Sequence, residues 1–172
     1  MNDTTTHLYQ ALQREISERA KILHSIINLA ISFLFVSLIV FFIFQLFLVS
    51  KETIQWYLLS LPPIFAFLSF NYQANGLTLE IALRYTQYLF ENDLKDIEDW
   101  RPYYIERKAK GKLVAFSKTL PLLLPQFIPI VMLVFGQITF SNFSMQALFV
   151  ADILLLLLTI VNFGYKLTYN AK

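Results

Sequence analysis

One carboxylate stands out by its surroundings. Asp152 lies inside the apolar run from Gln146 to Tyr165, just before the stretch Leu154–Leu158, and no other acidic residue sits well inside such a run. A central charge costs about 3 kcal/mol on insertion scales, and intramembrane ionisable groups usually face protein or water. By helical rise, Asp152 is roughly 9 Å in from Gln146. Gln45 and Gln137 fall near the same depth on their own segments. The three residues therefore outline a polar layer near the outer membrane face. Repeated by symmetry in an oligomer, such a layer rings a pore or holds a proton. Within one chain, a protonated or hydrogen-bonded aspartate clamps helices together. Asn28, Asn71 and Asn162 outline a second layer toward the cytoplasmic end, where amides act best as interhelical glue.

Two other groups of residues could do work. Pro62-Pro63 interrupts one apolar segment, and Pro121, Pro125 and Pro129 interrupt another. Proline removes a backbone donor, so kinks are expected at both places. Steps of four residues drift by only about 40° around a helix. Pro121, Pro125 and Pro129 thus form one stripe, which frees the carbonyls of Ser117, Pro121 and Pro125. Freed carbonyls in a membrane either face water or ions or are satisfied by packing. The second group is the basic run Arg107, Lys108, Lys110 and Lys112, preceded by Trp100, Tyr103 and Tyr104. It suits attraction to anionic lipid. It also suits a nucleotide or single-stranded nucleic acid, with phosphates on the cations and bases stacked on the rings. His7 and His24 have no metal-like spacing with any carboxylate and read as structural. No phosphate loop, nucleophile elbow or metal motif occurs, and no cofactor is implied. The polar residues do not converge on an active site, so an enzyme is not expected.

The elements that position these residues are helices in a membrane. Of 172 residues 56 % are hydrophobic and 15 % charged, with 17 Phe. A soluble domain carries roughly 45–50 % apolar and about 25 % charged residues. With no cysteine there are no disulfides and no thiolate sites. The polar first 22 residues and the length of the first apolar run do not fit a cleavable signal peptide.

Leu8, Leu12, Ile16, Ala20, Leu23 and Ile27 recur at helical spacing, and no Gly or Pro intervenes before Ser50. One helix is expected to start in water and run into the first span. Four spans of the length a bilayer needs follow, at about 26–49, 54–71, 115–140 and 146–165. The helical pattern does not stop at Asn71. It continues through Gly76 into Leu77, Ile81, Tyr85, Tyr88 and Leu89, so the second span is expected to project into water. The expected fold is all-α, a polytopic membrane protein with both termini and the connector 72–114 in the cytoplasm. The helices Thr4–His24 and Leu77–Phe90 are expected to bundle there, apolar stripes facing each other or a neighbouring subunit. The orientation rests on charge, because only Lys51 of the 14 Lys and Arg falls on the opposite side.

The order of features resembles the small membrane effectors encoded beside bacterial anti-phage nucleotidyltransferases. These include the SLATT-type effectors and, more loosely, the Hailong membrane effector. A polar helix leads through Arg19-Ala20-Lys21 into a long span; a short turn and a proline-interrupted span that continues as a charged helix follow. The likeness covers about residues 10–110. SLATT domains have two spans where four are expected here, and no residue role carries over. The resemblance implies a homo-oligomeric inner-membrane channel that is held shut, opens on infection and collapses the membrane potential. The Hailong case implies an effector guarded by a nucleic-acid product of its partner enzyme. Against the gated pore stands a non-conducting membrane anchor or adaptor that recruits a partner through Trp100–Tyr104. A small transporter is disfavoured, because no internal repeat pairs the two halves.

Overall fold

The computed structural model describes residues 3–93, 119–138 and 143–169, all in helices or the turns between them, with no strand. Helix α1 is Asp3–Leu46 and α2 is Lys51–Asp93. A shorter apolar helix, α3, is Thr119–Val134, and its middle turn Leu124–Phe127 is 3₁₀. Helix α4 is Phe143–Tyr169.

The first two helices are continuous as the periodicity predicts. Without Gly or Pro before Ser50, α1 has no reason to stop between its polar and apolar halves. Helix α2 runs through Pro62, Pro63 and Gly76. Among the described residues three helices are long and apolar enough to cross a membrane, within 10–46, 51–87 and 143–163. The third expected span, 115–140, is described only as α3, which falls short of that length. Gly136 ends it. At φ +62 its amide donates to the Leu133 carbonyl (3.0 Å), while Gln137 N–H reaches back to Met132 O (2.8 Å). This is the Schellman closure, with glycine where the left-handed conformation is needed.

The same closure ends α1 without a glycine. Val49 N–H donates to Phe44 O (3.1 Å), Leu48 N–H to Gln45 O (3.4 Å), and Leu48 takes φ +50. Ser50 then starts α2: its Oγ accepts the Thr53 amide (3.2 Å), the N-cap arrangement.

Helix α2 is the shared wall of the fold, touching α1, α3 and α4. One of its stripes, Leu61, Phe65 and Leu68, packs with Ile27 and Ala30 of α1 and Leu122 of α3. Ala30 is wholly buried and lets the helices approach closely. Phe33 and Phe65 meet edge to face at 5.8 Å, Phe44 and Tyr57 at 5.3 Å, and the Tyr57 hydroxyl donates to Ser37 O (3.0 Å). The contact extends past the apolar span, where Arg19 Nη1 donates to Asn75 Oδ1 (2.8 Å). In this outlying part Ala82 and Thr86 are the buried residues of α2 among the described side chains. The apolar stripe Leu77, Ile81 and Tyr85 is exposed, so it does not face α1 as one form of the expected bundle has it. Elsewhere α1 presents Phe35, Ile39 and Phe42 outward, each more than half exposed, as a helix facing lipid would.

Leu48 carries the cost of a left-handed backbone with its side chain 91 % exposed. Leu48→Gly removes that cost and is expected to raise stability by about 1 kcal/mol. Leu48→Val, β-branched, lowers it. Thermal unfolding of the detergent-solubilised protein reads both, and a drop for the glycine variant would contradict the strain.

Candidate functional site: a buried polar seam between α2, α3 and α4

The second stripe of α2 is Gln55, Leu59, Pro62, Ala66, Ser69 and Gln73, spaced by four and three residues. All but the half-buried Gln73 are buried. Helix α4 turns Met145, Asp152, Leu156 and Thr159 inward at the same spacing. Helix α3 buries Thr119, Leu122, Pro125, Gln126, Pro129 and Met132. At one end Leu59, Met132 and Met145 meet in an apolar cluster flanked by Trp56 and Phe149. Beyond that cluster, toward residue 73 of α2, the stripes turn polar.

The depth of each residue follows from rise per residue, counted from this cluster. Asp152 and Ala66 lie about 10 Å along, Gln126 about 9 Å, Ser69 about 15 Å, and Thr119, Gln73 and Thr159 about 20 Å. The seam is therefore plugged by two methionines and a leucine at one end and runs through amide, hydroxyl and carboxyl groups to the other.

Its hydrogen bonds are incomplete. Gln126 Nε2 donates to Ser69 Oγ (2.9 Å) and to Leu122 O (2.9 Å). Ser69 Oγ donates to Leu122 O at 3.5 Å, and Thr159 Oγ1 to Leu155 O at 2.8 Å. Among the described residues no partner exists for Gln126 Oε1 or for either Asp152 oxygen, although both residues are 1 % exposed or less. Gln73 Nε2 is likewise buried and unpartnered. Buried polar groups are nearly always bonded, because an orphaned one costs about 1–3 kcal/mol. Among the described residues no salt bridge offsets the carboxylate. Between Glu52 and Glu80 on α2, throughout 119–138, and on α4 before Lys166, no other Asp, Glu, Lys, Arg or His occurs.

The prolines shape this seam from inside. Pro62, Pro125 and Pro129 are buried, and Pro63 and Pro121 half-buried. The Pro125 carbonyl, freed by Pro129, accepts instead from Ile128 N–H three residues on, which is the 3₁₀ turn. The Gln126 side chain covers the neighbouring Leu122 carbonyl. Of the freed carbonyls, that of Pro125 thus has its partner within the chain. Ser117 lies outside the described residues.

Several expected groupings do not assemble. Gln45 is exposed on the last turn of α1, and the Gln137 side chain is exposed, so neither joins Asp152 in a buried layer. What Gln137 supplies is its backbone carbonyl, which accepts from Gln55 Nε2. Asn28 and Asn162 are exposed as well, and Asn71 donates to Phe67 O of its own helix (3.2 Å). The physical reason is rotation about the helix axis. Depth along a segment follows from counting residues, whereas the direction a side chain takes depends on which neighbour its helix meets. Arg107, Lys108, Lys110, Lys112, Trp100, Tyr103 and Tyr104 lie outside the described residues. Sequence reasoning missed Gln55, Ser69, Gln73, Gln126 and Thr159. The signal that could have found Ser69 and Gln126 is their place on stripes shared with buried Leu59 and with Pro129.

No known protein family, curated protein or solved structure matches the chain.

Ser69→Ala removes one acceptor of Gln126 Nε2, which keeps Leu122 O, and is expected to cost about 1 kcal/mol. Ala66→Leu forces three extra carbons into the wall at the depth of Asp152 and is expected to cost about 1–3 kcal/mol. Denaturation in detergent should rank Ala66→Leu as the more damaging; the reverse order would mean that the helices are not in close contact at Ala66.

Proposed function

We propose that the chain is a gated pore of a bacterial inner membrane, built from several copies, with both termini and the connector 72–114 in the cytoplasm. The observation that carries this reading is Asp152, a carboxylate shut inside the seam with neither a hydrogen-bond donor nor a counter-ion among the described residues. A helix clamp would give that group a partner. A group that breaks the rule of satisfied burial is where function is expected to reside.

The Leu59–Met132–Met145 cluster is the closed gate, an apolar constriction that excludes water and ions. It lies on the far side of Asp152 from the cytoplasm. The positive-inside charge pattern supplies the orientation. The trigger is an anionic nucleotide or single strand bound in the connector at Arg107–Lys112 and Trp100–Tyr104. Its effect is transmitted by α2, which is one helix from the membrane to Asp93. Differential affinity of the ligand for the two arrangements sets the open fraction. Depolarisation of the host membrane in anti-phage defence is the setting that the likeness to SLATT-type effectors suggests.

A second reading, an anchor or adaptor, is favoured by one observation: the exposed stripe Leu77, Ile81 and Tyr85 on the projecting half of α2 could hold a partner.

Conductance separates the two. In planar bilayers Asp152→Leu is expected to fold at least as well as the wild type, since it removes two orphaned acceptors, and to change the current on triggering. Met145→Ala opens the constriction and raises the untriggered leak on the order of tenfold. A purified oligomer that stays silent in both forms, with every nucleotide and single strand tried, sinks the pore and leaves the adaptor.

A further inference from the structure

Around Asp152 and Gln126 the seam has acceptors without donors. Asp152 Oδ1, Asp152 Oδ2 and Gln126 Oε1 are three oxygen acceptors, each buried and each without a donor among the described residues. They belong to facing helices, and by helical rise they share a depth to within about one turn. Ser69 Oγ and Thr159 Oγ1, both on fully buried residues, spend their protons on Leu122 O and Leu155 O and leave lone pairs available in the same seam. All these atoms are hard oxygens, and together they carry one formal negative charge.

From this arrangement we infer that each protomer holds a single alkali-metal cation between Asp152 and Gln126, coordinated by both carboxylate oxygens and by Gln126 Oε1. Charge count selects the class of ligand. A monovalent ion leaves the site neutral, whereas a divalent one leaves a buried positive charge, and calcium and magnesium sites normally supply more carboxylate. A proton on Asp152 would turn one carboxyl oxygen into a donor for Gln126 Oε1 and leave the other oxygen unserved. An alkali ion serves all three at once. The ion reaches the site from the polar end, past Gln73, Thr119 and Thr159, and is stopped at Leu59, Met132 and Met145. The binding itself is independent of conduction; only the ion's role as a permeant species rests on the pore reading.

The test is thermal unfolding of the intact protein in detergent, at fixed pH and ionic strength, in choline chloride against lithium, sodium or potassium chloride. At least one alkali chloride is expected to raise the melting temperature saturably, by about 3 °C or more. Asp152→Asn, close to isosteric, should lose the alkali dependence altogether. Gln126→Ala should raise the half-maximal concentration by roughly tenfold, one lost ligand being worth about a decade in affinity. Equal melting temperatures in choline and in all three alkali chlorides would overturn the proposal. So would an unchanged response in Asp152→Asn, or a stability that follows pH alone, the sign of a proton in place of a metal ion. Because no current is read, a protein that binds the ion yet never conducts removes the pore and keeps the site.

Discussion

Everything in this fold leans on the two-sidedness of α2. One helix must satisfy α1 along Leu61, Phe65 and Leu68, and α3 and α4 along Leu59, Pro62, Ala66 and Ser69. Those stripes are interleaved at spacings of three and four, so no turn of α2 between Gln55 and Ser69 is free to change on one side without being felt on the other. Small residues make this possible. Ala66 and Ser69 on one stripe and Ala30 opposite the other keep the axes close, and in lipid such close packing does much of what the hydrophobic effect does in water. Polar groups can then be buried at the same depth without contact with solvent.

The seam shows how a helix bundle accommodates proline. Pro125 and Pro129 break the regular hydrogen-bond ladder of α3, and the backbone answers by tightening to 3₁₀, so that Ile128 N–H takes the Pro125 carbonyl. Beside this turn the Gln126 side-chain amide donates to Leu122 O. The Gln126 amide spends its donors on Leu122 O and Ser69 Oγ, and its carbonyl oxygen, like the Asp152 carboxylate, is buried without a partner among the described residues.

Much of the architecture was legible in the sequence, and the reasons are physical. Uninterrupted periodicity from Leu8 to Ile27 and onward predicts α1 as one helix, because nothing in that stretch can end it. The same reasoning carries α2 through Gly76. Asp152 is conspicuous for its apolar neighbours alone. What the sequence leaves open is azimuth. Gln45, Gln137 and Gln126 are all glutamines in oily segments, yet only Gln126 is buried, because only it sits on a stripe that meets α2. The apolar residues Leu77, Ile81 and Tyr85 have helical spacing and turn outward, while Ala82 and Thr86, which look unremarkable in the chain, turn in. Hydropathy sees residue type, and burial is decided by partners that are distant in sequence.

The unequal dependence of the helices on one another has a consequence for how the chain is made. Helices α1 and α2 are each long and apolar enough to enter a bilayer, and their mutual contacts form a closed hairpin as soon as residue 93 has emerged. Helix α3 is shorter, carries two buried prolines and finds its backbone repairs partly in Ser69 of α2. It gains a full set of neighbours only when α4 arrives. During synthesis the membrane therefore receives a self-sufficient pair first and a conditional pair second. The seam, with its aspartate, exists only after α4 has been threaded, so a ribosome-bound intermediate lacks this buried polar layer.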